Sequence, residues 1–295
     1  MADPTSTDPL AALSWLVEAG AEDAIGDDPV NRLAKVNTAV PSDGKVGPRA
    51  NETRGDTFAT GTSPPRAART PTPTNALPFK GGKEEPDSIG TAQSLARAAN
   101  SLAELKAALE GFDGCALKRG ATNTVFADGN PASRIMFIGE APGRDEDRIG
   151  LPFVGRAGKL LDKMMAAINL DRSSAYITNV INWRPPDNRD PTPEEAAMCL
   201  PFLRRHIELA NPGIIILLGA VAARHVMGFS EGIMKLRGRW LEYRAGDRMI
   251  PVMPTLHPAY LLRQPAHKKL AWRDLQAAEQ KIISSGLLEA GAEVR

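Results

Sequence analysis

Cysteine is nearly absent from this chain of 295 residues: there are two, Cys115 and Cys199. That excludes a disulfide framework and sets a reducing, cytoplasmic compartment as the expectation. Charge of one sign is missing too, since 36 Lys and Arg stand against 35 Asp and Glu, a formal net charge of +1. Without a global basic field, any nucleic-acid contact has to come from a local patch. No apolar run approaches the ~20 residues of a membrane span, so no membrane partner is expected. The opening MADPTSTDPL lacks the basic-then-apolar layout of a secretion signal. Aromatic residues are sparse, at 5%.

Glycine and proline, by contrast, are abundant and unevenly placed. Residues 37–90 include GTSPPRAARTPTPTNALPFKGGKEEP, a mixture of Pro, Thr, Ala and Gly without a period. Such a composition cannot bury enough apolar surface to offset chain entropy, and it reads as a disordered linker. It divides a terminal extension, residues 1–36, from a globular domain over residues 91–295. The extension carries DPLAALSWLVEA over 8–19, with Asp8 as cap, Pro9 at the first helical position and Leu10, Leu13 and Val17 on one face. This short amphipathic helix either docks on the domain or serves as a tethered partner-binding peptide.

The globular part alternates strand and helix patterns. Residues 91–110 suit a helix, with Leu95, Leu102, Leu105 and Leu109 among Ala and Lys. Buried strands are expected at Ile135–Ile138, at 175–181, at Ile214–Leu218 and at Val252–Thr255. Helices are expected near 193–210, after Gly219 and over 267–286. The loop NWRPPDNRDPTP, residues 182–193, is barred from regular helix by its X-Pro steps. The alternation predicts a three-layer α/β/α sandwich around a mainly parallel sheet, with no internal repeat.

The organising stretch is 135–161, IMFIGEAPGRDEDRIGLPFVGRAGKLL. A buried strand feeds a Gly- and Pro-rich turn, which places backbone N–H groups at the carboxyl edge of the sheet. Three strand ends carry polar residues: Glu140 after the first, Asn179 on the second and His257 after the last. A parallel sheet brings such ends to one edge, although each alone is equally compatible with a structural role.

GEAPGRDED with GLPFVGRAGKLL, then YITNV-x-x-WRPPDNRDPTPEE, LLGAVAA, RGRW and THPAYLLR resemble, in order and spacing, the motifs of the family 4 uracil-DNA glycosylases. These are the iron–sulfur members of the uracil-DNA glycosylase superfamily. The resemblance runs from about Cys115 to Leu275 and leaves residues 1–90 outside. It implies a monofunctional enzyme that extrudes uracil from DNA, hydrolyses its N-glycosidic bond and initiates base-excision repair. Phe153 would stack on the base. Asn179 would address its N3–H and O4 edge. His257 would donate to O2 as charge develops on the departing base. Other branches of the superfamily carry Asp at the position of Ala141, so the carboxylate has to come from elsewhere. By motif position Glu146 is expected to place the water, and Glu140, with Ala141, to shape the base pocket.

Arg237, Arg239, Tyr260, Leu261 and Arg263 fall on the family's basic turn and minor-groove wedge segment, with Leu261 within the wedge. Arg184 and Arg189, with Lys268 and Lys269, are expected to meet phosphates. The helix at 8–19 would then bind a repair or replication protein, and the enzyme is expected to be a monomer.

The resemblance also implies a [4Fe–4S] cluster on four cysteines, and here the sequence departs from it. Cys115 and Cys199 match two ligands, while Phe112 and Trp183 stand at the other two positions. A cubane cluster needs four ligands, commonly thiolates, so a cluster-free member is expected, the retained cluster being the alternative. Two rival functions remain open: a catalytically weak uracil- or single-strand-binding protein of the same fold, and a nucleotide-binding α/β protein. The second is disfavoured because Glu140 would repel an anion and no Gly-Lys-Ser/Thr follows the turn.

Overall fold

A computed structural model describes residues 87–287. The expected helix at 8–19 and almost all of the expected linker at 37–90 lie outside the described residues. Those described belong to a single compact unit.

Two helices open it, α1 (Ser88–Ala98) and α2 (Leu102–Gly111). The sequence pattern suggested one helix across 91–110. The break arises because Ser101 accepts from the Glu104 N–H at 3.1 Å while the Glu104 carboxylate accepts from the Asn100 N–H at 2.8 Å. This reciprocal cap starts a new helix where the apolar spacing alone would continue the old one. After a 3₁₀ turn at Ala116–Gly120 come β1 (Ala127–Gly129), β2 (Ile135–Gly139), α3 (Arg144–Ile149), α4 (Arg156–Ala166) and β3 (Tyr176–Asn179). Then follow α5 (Pro193–Ala210), β4 (Ile214–Leu218), α6 (Ala220–Met227), α7 (Ile233–Leu236), β5 (Leu241–Ala245), β6 (Arg248–Thr255), α8 (Pro258–Arg263) and α9 (Lys268–Ser284).

The six strands form one sheet in the order β1-β3-β2-β4-β6-β5. The four inner strands are parallel and the two edges antiparallel. Parallel strands covered on both faces read as continuous apolar runs, and β2 and β4 are buried at every position. Their residues alternate between two cores. Met136, Ile138, Ile215 and Leu217 face the side of α1, α2, α5 and α6. Ile135, Phe137, Ile214, Ile216 and Leu218 face the side of α4, α8 and α9. The result is the expected three-layer α/β/α sandwich. The β5–β6 hairpin was not anticipated: β5 is half-exposed with an alternating pattern, and it extends β6 back to Arg248.

Candidate active site

Register aligns the carboxyl ends of the inner strands. Gly139 stands opposite Asn179, and Leu218 opposite Thr255. Backbone pairing continues one step past the strands, with the Ile181 N–H donating to the Glu140 carbonyl at 2.9 Å and the Gly219 N–H to the Thr255 carbonyl at 2.9 Å. Glu140, Asn179, Gly219 and His257 are thereby held along one edge. They line a cavity of about 510 Å³ whose walls also include Phe153, Ala141, Asn188, Tyr260 and Arg263.

Phe153 is 5% exposed and adopts φ +54, a conformation that side-chain-bearing residues rarely adopt. Arg172 holds it there, donating to the Phe153 carbonyl at 2.5 Å and the Pro152 carbonyl at 3.2 Å. The guanidinium is itself fixed by Asp128 and by Asp162, the latter at 2.9 Å. Glycine makes the approach possible on two sides. A Cβ on Gly158 would lie 1.7 Å from the Phe153 carbonyl oxygen, and one on Gly139 would lie 2.4 Å from Asn179 Oδ1 and 2.5 Å from the Phe153 ring. Neither Arg172 nor Gly158 was singled out from the sequence, because both act on the backbone of Phe153 and not through a side chain in the cavity.

Asn179 is 3% exposed, and its Oδ1 is a buried acceptor without a hydrogen-bond partner. Buried polar atoms are rarely left so, because the loss of water costs about 1–3 kcal/mol. An acceptor left open at the wall of a cavity is prepared for a donor on a ligand.

The His257 ring lies 5.6 Å from that of Phe153, centroid to centroid. Its Nδ1 accepts from the Ala259 N–H at 3.1 Å, which caps α8. Burial first, and the Arg263 charge second, lower its pKa to about 4. The ring is therefore neutral at pH 7, and with Nδ1 as acceptor the proton resides on Nε2, leaving that nitrogen as a donor. A Cβ on Gly219, which has φ +94, would come within 2.9 Å of the His257 Cβ, so the turn before α6 is shaped around the imidazole.

Of the two carboxylates, Glu140 is the one left open. Desolvation, helped by Asp190 and opposed by Arg224 and Arg263, raises its pKa to about 7. Glu146 also lines the cavity, but its oxygens accept from the N–H groups of Gly143 (3.1 Å), Val154 (3.0 Å) and Gly155 (2.9 Å). It braces the turn after β2 against the start of α4. The carboxylate expected to place the water thus serves as a loop clamp in this structure while still lining the cavity. Ala141 contributes only its methyl group and backbone to the wall.

The expected DNA contacts divide. Arg263 lines the cavity, and Arg239 is exposed with Glu231 3.7 Å away. Tyr260 also lines the cavity, its hydroxyl bonded to His267 at 2.7 Å. Arg184 is half-buried, its Nε donating to Asn188 at 2.8 Å. Arg189 is paired with Glu195 at 2.6 Å. Three expectations are overturned. Arg237 is turned inward onto Asp274, which also accepts from Thr255 at 2.7 Å, and it ties α9 to the end of β6. Leu261 is 0% exposed and packs in the core, whereas its neighbour Leu262 is 36% exposed. One residue along α8 turns the side chain from solvent to core. Lys268, at 7% exposure, is no surface cation either, while Lys269 is exposed.

Cys115 and Cys199 are both fully buried and hydrogen-bonded to each other, with the Cys115 thiol lowered to about 7 by that bond and the Cys199 thiol raised by it and by burial. Phe112 and Trp183 belong to the same core cluster, at 2% and 1% exposure. Phe112 packs on Phe202 at 5.3 Å, and Trp183 Nε1 donates to Thr124 at 3.0 Å. Among the described residues no three His, Cys, Asp or Glu side chains gather as metal ligands. Two thiols and two packed aromatic rings do not make the donor set of a four-thiolate cluster.

The family model for the uracil DNA glycosylase superfamily matches residues 126–276. A type-4 uracil-DNA glycosylase of Thermotoga maritima is 42% identical over 175 residues, 58% of this chain and 90% of that protein. One from Archaeoglobus fulgidus is 44% identical over 155 residues, 51% of this chain and 78% of that protein. A type-5 uracil-DNA glycosylase of Pyrobaculum aerophilum is 31% identical over 114 residues, 34% of this chain and 50% of that protein.

Proposed function

We infer the function from one premise: the chain belongs to the uracil-DNA glycosylase superfamily, in its type-4 branch. It is a DNA glycosylase that hydrolyses the N-glycosidic bond of uracil in DNA, the first step of base-excision repair. The observation that carries the assignment to this cavity is the open acceptor, Asn179 Oδ1. Uracil presents a donor at N3 where cytosine presents an acceptor, so an unsatisfied oxygen accepts the one and repels the other.

With the extruded base stacked on Phe153, the neutral His257 donates from Nε2 to O2. That hydrogen bond strengthens as the N1–C1′ electron pair passes to the ring, which is where a preplaced donor lowers the barrier. Water supplies the oxygen that bonds to C1′, and its proton is released. Glu140 is the carboxylate facing the sugar cation, in place of the acid that other branches hold at the position of Ala141. No lysine lines the cavity, in keeping with a hydrolytic reaction without a Schiff base.

The chain works, in this reading, without the [4Fe–4S] cluster that its family implies. The support is the donor set, Cys115 and Cys199 with Phe112 and Trp183, and no step above runs through the cluster. No helix among the described residues is long and apolar enough to cross a membrane.

A second reading, a weakly catalytic uracil-binding protein, is favoured by one fact: three of the acceptor positions of Glu146 are taken by backbone N–H groups, which restricts its capacity to place a water. Incubating the protein with a uracil-bearing oligonucleotide, then alkali, separates the two. Strand scission is expected, with Asn179→Asp losing about 100-fold or more of the rate. Retained binding without scission in the wild-type protein would establish the second reading instead.

A further inference from the structure

Beyond the Glu146 side chain lies a second hollow, and nothing in the reaction described so far uses it. Its walls include Arg144, Asp145, Arg156, Arg184 and Asn188. It adjoins the base cavity, for Glu146, Ala157 and Asn188 line both. Three guanidinium groups reach it from three separate segments: the start of α3, the start of α4 and the loop after β3.

The fold does not account for two of them. Arg144 and Arg156 are exposed and have no hydrogen-bond or ion-pair partner among the described residues. Arg184 uses only its Nε, on Asn188, which orients the group and leaves its terminal N–H groups available. The acids nearby are engaged elsewhere. Glu146 accepts from three backbone N–H groups, and Asp145 sits 3.8 Å from Arg148. The uncommitted charge in the hollow is therefore positive, in a chain whose net charge is only +1.

We propose that this hollow binds the phosphodiester backbone of the substrate strand on one side of the extruded nucleotide, with Arg144 and Arg156 as phosphate ligands beside Arg184. The proposal rests on the glycosylase reading, since the shared wall is what makes the ligand a continuation of the strand whose base fills the neighbouring cavity. Guanidinium suits the task because its planar fork matches two phosphate oxygens. A base held in one hollow and a phosphate in the next fixes the sugar between them, where the bond breaks.

The test measures binding of a single-stranded uracil oligonucleotide as a function of salt for the wild type, Arg144→Ala, Arg156→Ala and the double variant. Arg97→Ala, an exposed arginine of α1 remote in sequence from both hollows, removes the same charge as a control. Each lost phosphate contact is expected to flatten the plot of log affinity against log salt by about 0.7, and the double variant to bind about 10-fold more weakly at low salt. KM should rise with the loss of affinity. Oligonucleotides shortened from either side of the uracil should lose affinity for the wild type on one side only, and the double variant should be indifferent to that truncation. Salt slopes equal to that of Arg97→Ala would overturn the proposal. So would competition by inorganic phosphate that disappears in the variants while DNA affinity stays, because the site would then belong to a free anion. Binding is read without excision, so these outcomes stand apart from any failure of the wild type to release uracil.

Discussion

Two parts of this molecule descend from the same family pattern and have been treated differently. At the strand ends, Asn179, Phe153 and His257 stand where the family motifs place them, around one cavity. In the core beneath α1, α2 and α5, Phe112 and Trp183 pack at two of the four positions where the family resemblance implies cluster ligands. The cavity has requirements that only particular atoms satisfy: an open amide oxygen, a neutral imidazole with its proton on Nε2, a ring at φ +54. The core has a requirement of volume and adhesion, which the two rings meet. Trp183 shows how the two are joined. It begins the loop that carries Pro185, Asn188, Arg189 and Asp190 into the cavity wall, and its buried, hydrogen-bonded ring anchors the start of that loop.

The comparison breaks most visibly at Trp183. Trp183→Ala is expected to cost about 3–5 kcal/mol of stability, as for other large-to-small core changes, and to lower the melting temperature sharply. The excision rate per folded molecule, measured well below that melting point, should fall far less. An equal loss in both would mean that the aromatic core is catalytic, and the division drawn here would fail. Phe112→Cys together with Trp183→Cys sharpens the same point, for it restores four cysteines. Anaerobic reconstitution should then give stoichiometric iron and a visible absorption band, while the wild type takes up neither.

The converse experiment is His257→Asn. Asparagine still caps α8, so the helix start is kept, but the Nε2 donor is lost. The expected loss in kcat is about 10²–10³-fold, the usual effect of removing a single preplaced donor, with a melting temperature within a few degrees of wild type. A rate within threefold of wild type would remove His257 from the reaction.

The same division explains what could be read from the sequence. The inner strands were legible because strands buried on both faces are unbroken apolar runs, as in IMFIG and IIILL. Glu140, Asn179 and His257 were legible because polar residues at such strand ends are conspicuous. The β5–β6 hairpin was missed although LEYRA carries the alternation of a half-buried strand, because it is short and because Pro251 and Pro254 argue against a longer strand in β6. Arg237 was misread because its partner, Asp274, lies on α9, far along the chain, and a basic residue in a short turn looks the same whether it meets DNA or a buried carboxylate. Leu261 and Leu262 are adjacent and identical; only the phase of a six-residue helix decides which one is covered. Arg172 and Gly158 leave no local signature, because their effect is exerted on the backbone of Phe153.

The smallest effect concerns what the cavity costs the fold. Glu140 is a carboxyl with a pKa raised from 4.5 to about 7 by desolvation, with Asp190 adding to the shift. Its neutral form is favoured in the folded state, so the native protein binds a proton that the unfolded chain has already released between these values. The linked stability is present in full below about pH 4.5 and is lost as the pH rises through about 7. Glu140→Gln keeps the shape and removes the titration. It should therefore match or fall slightly below wild type at pH 5 and become the more stable protein at pH 8, by on the order of 1–3 kcal/mol. Denaturant melts at the two pH values measure the difference directly. Parallel curves for the two proteins would show that Glu140 is solvated in the free enzyme. A crossover, accompanied by a slower excision rate in the variant at every pH, would show that a destabilising carboxylate is retained at the strand ends because the departing base leaves a cation facing it.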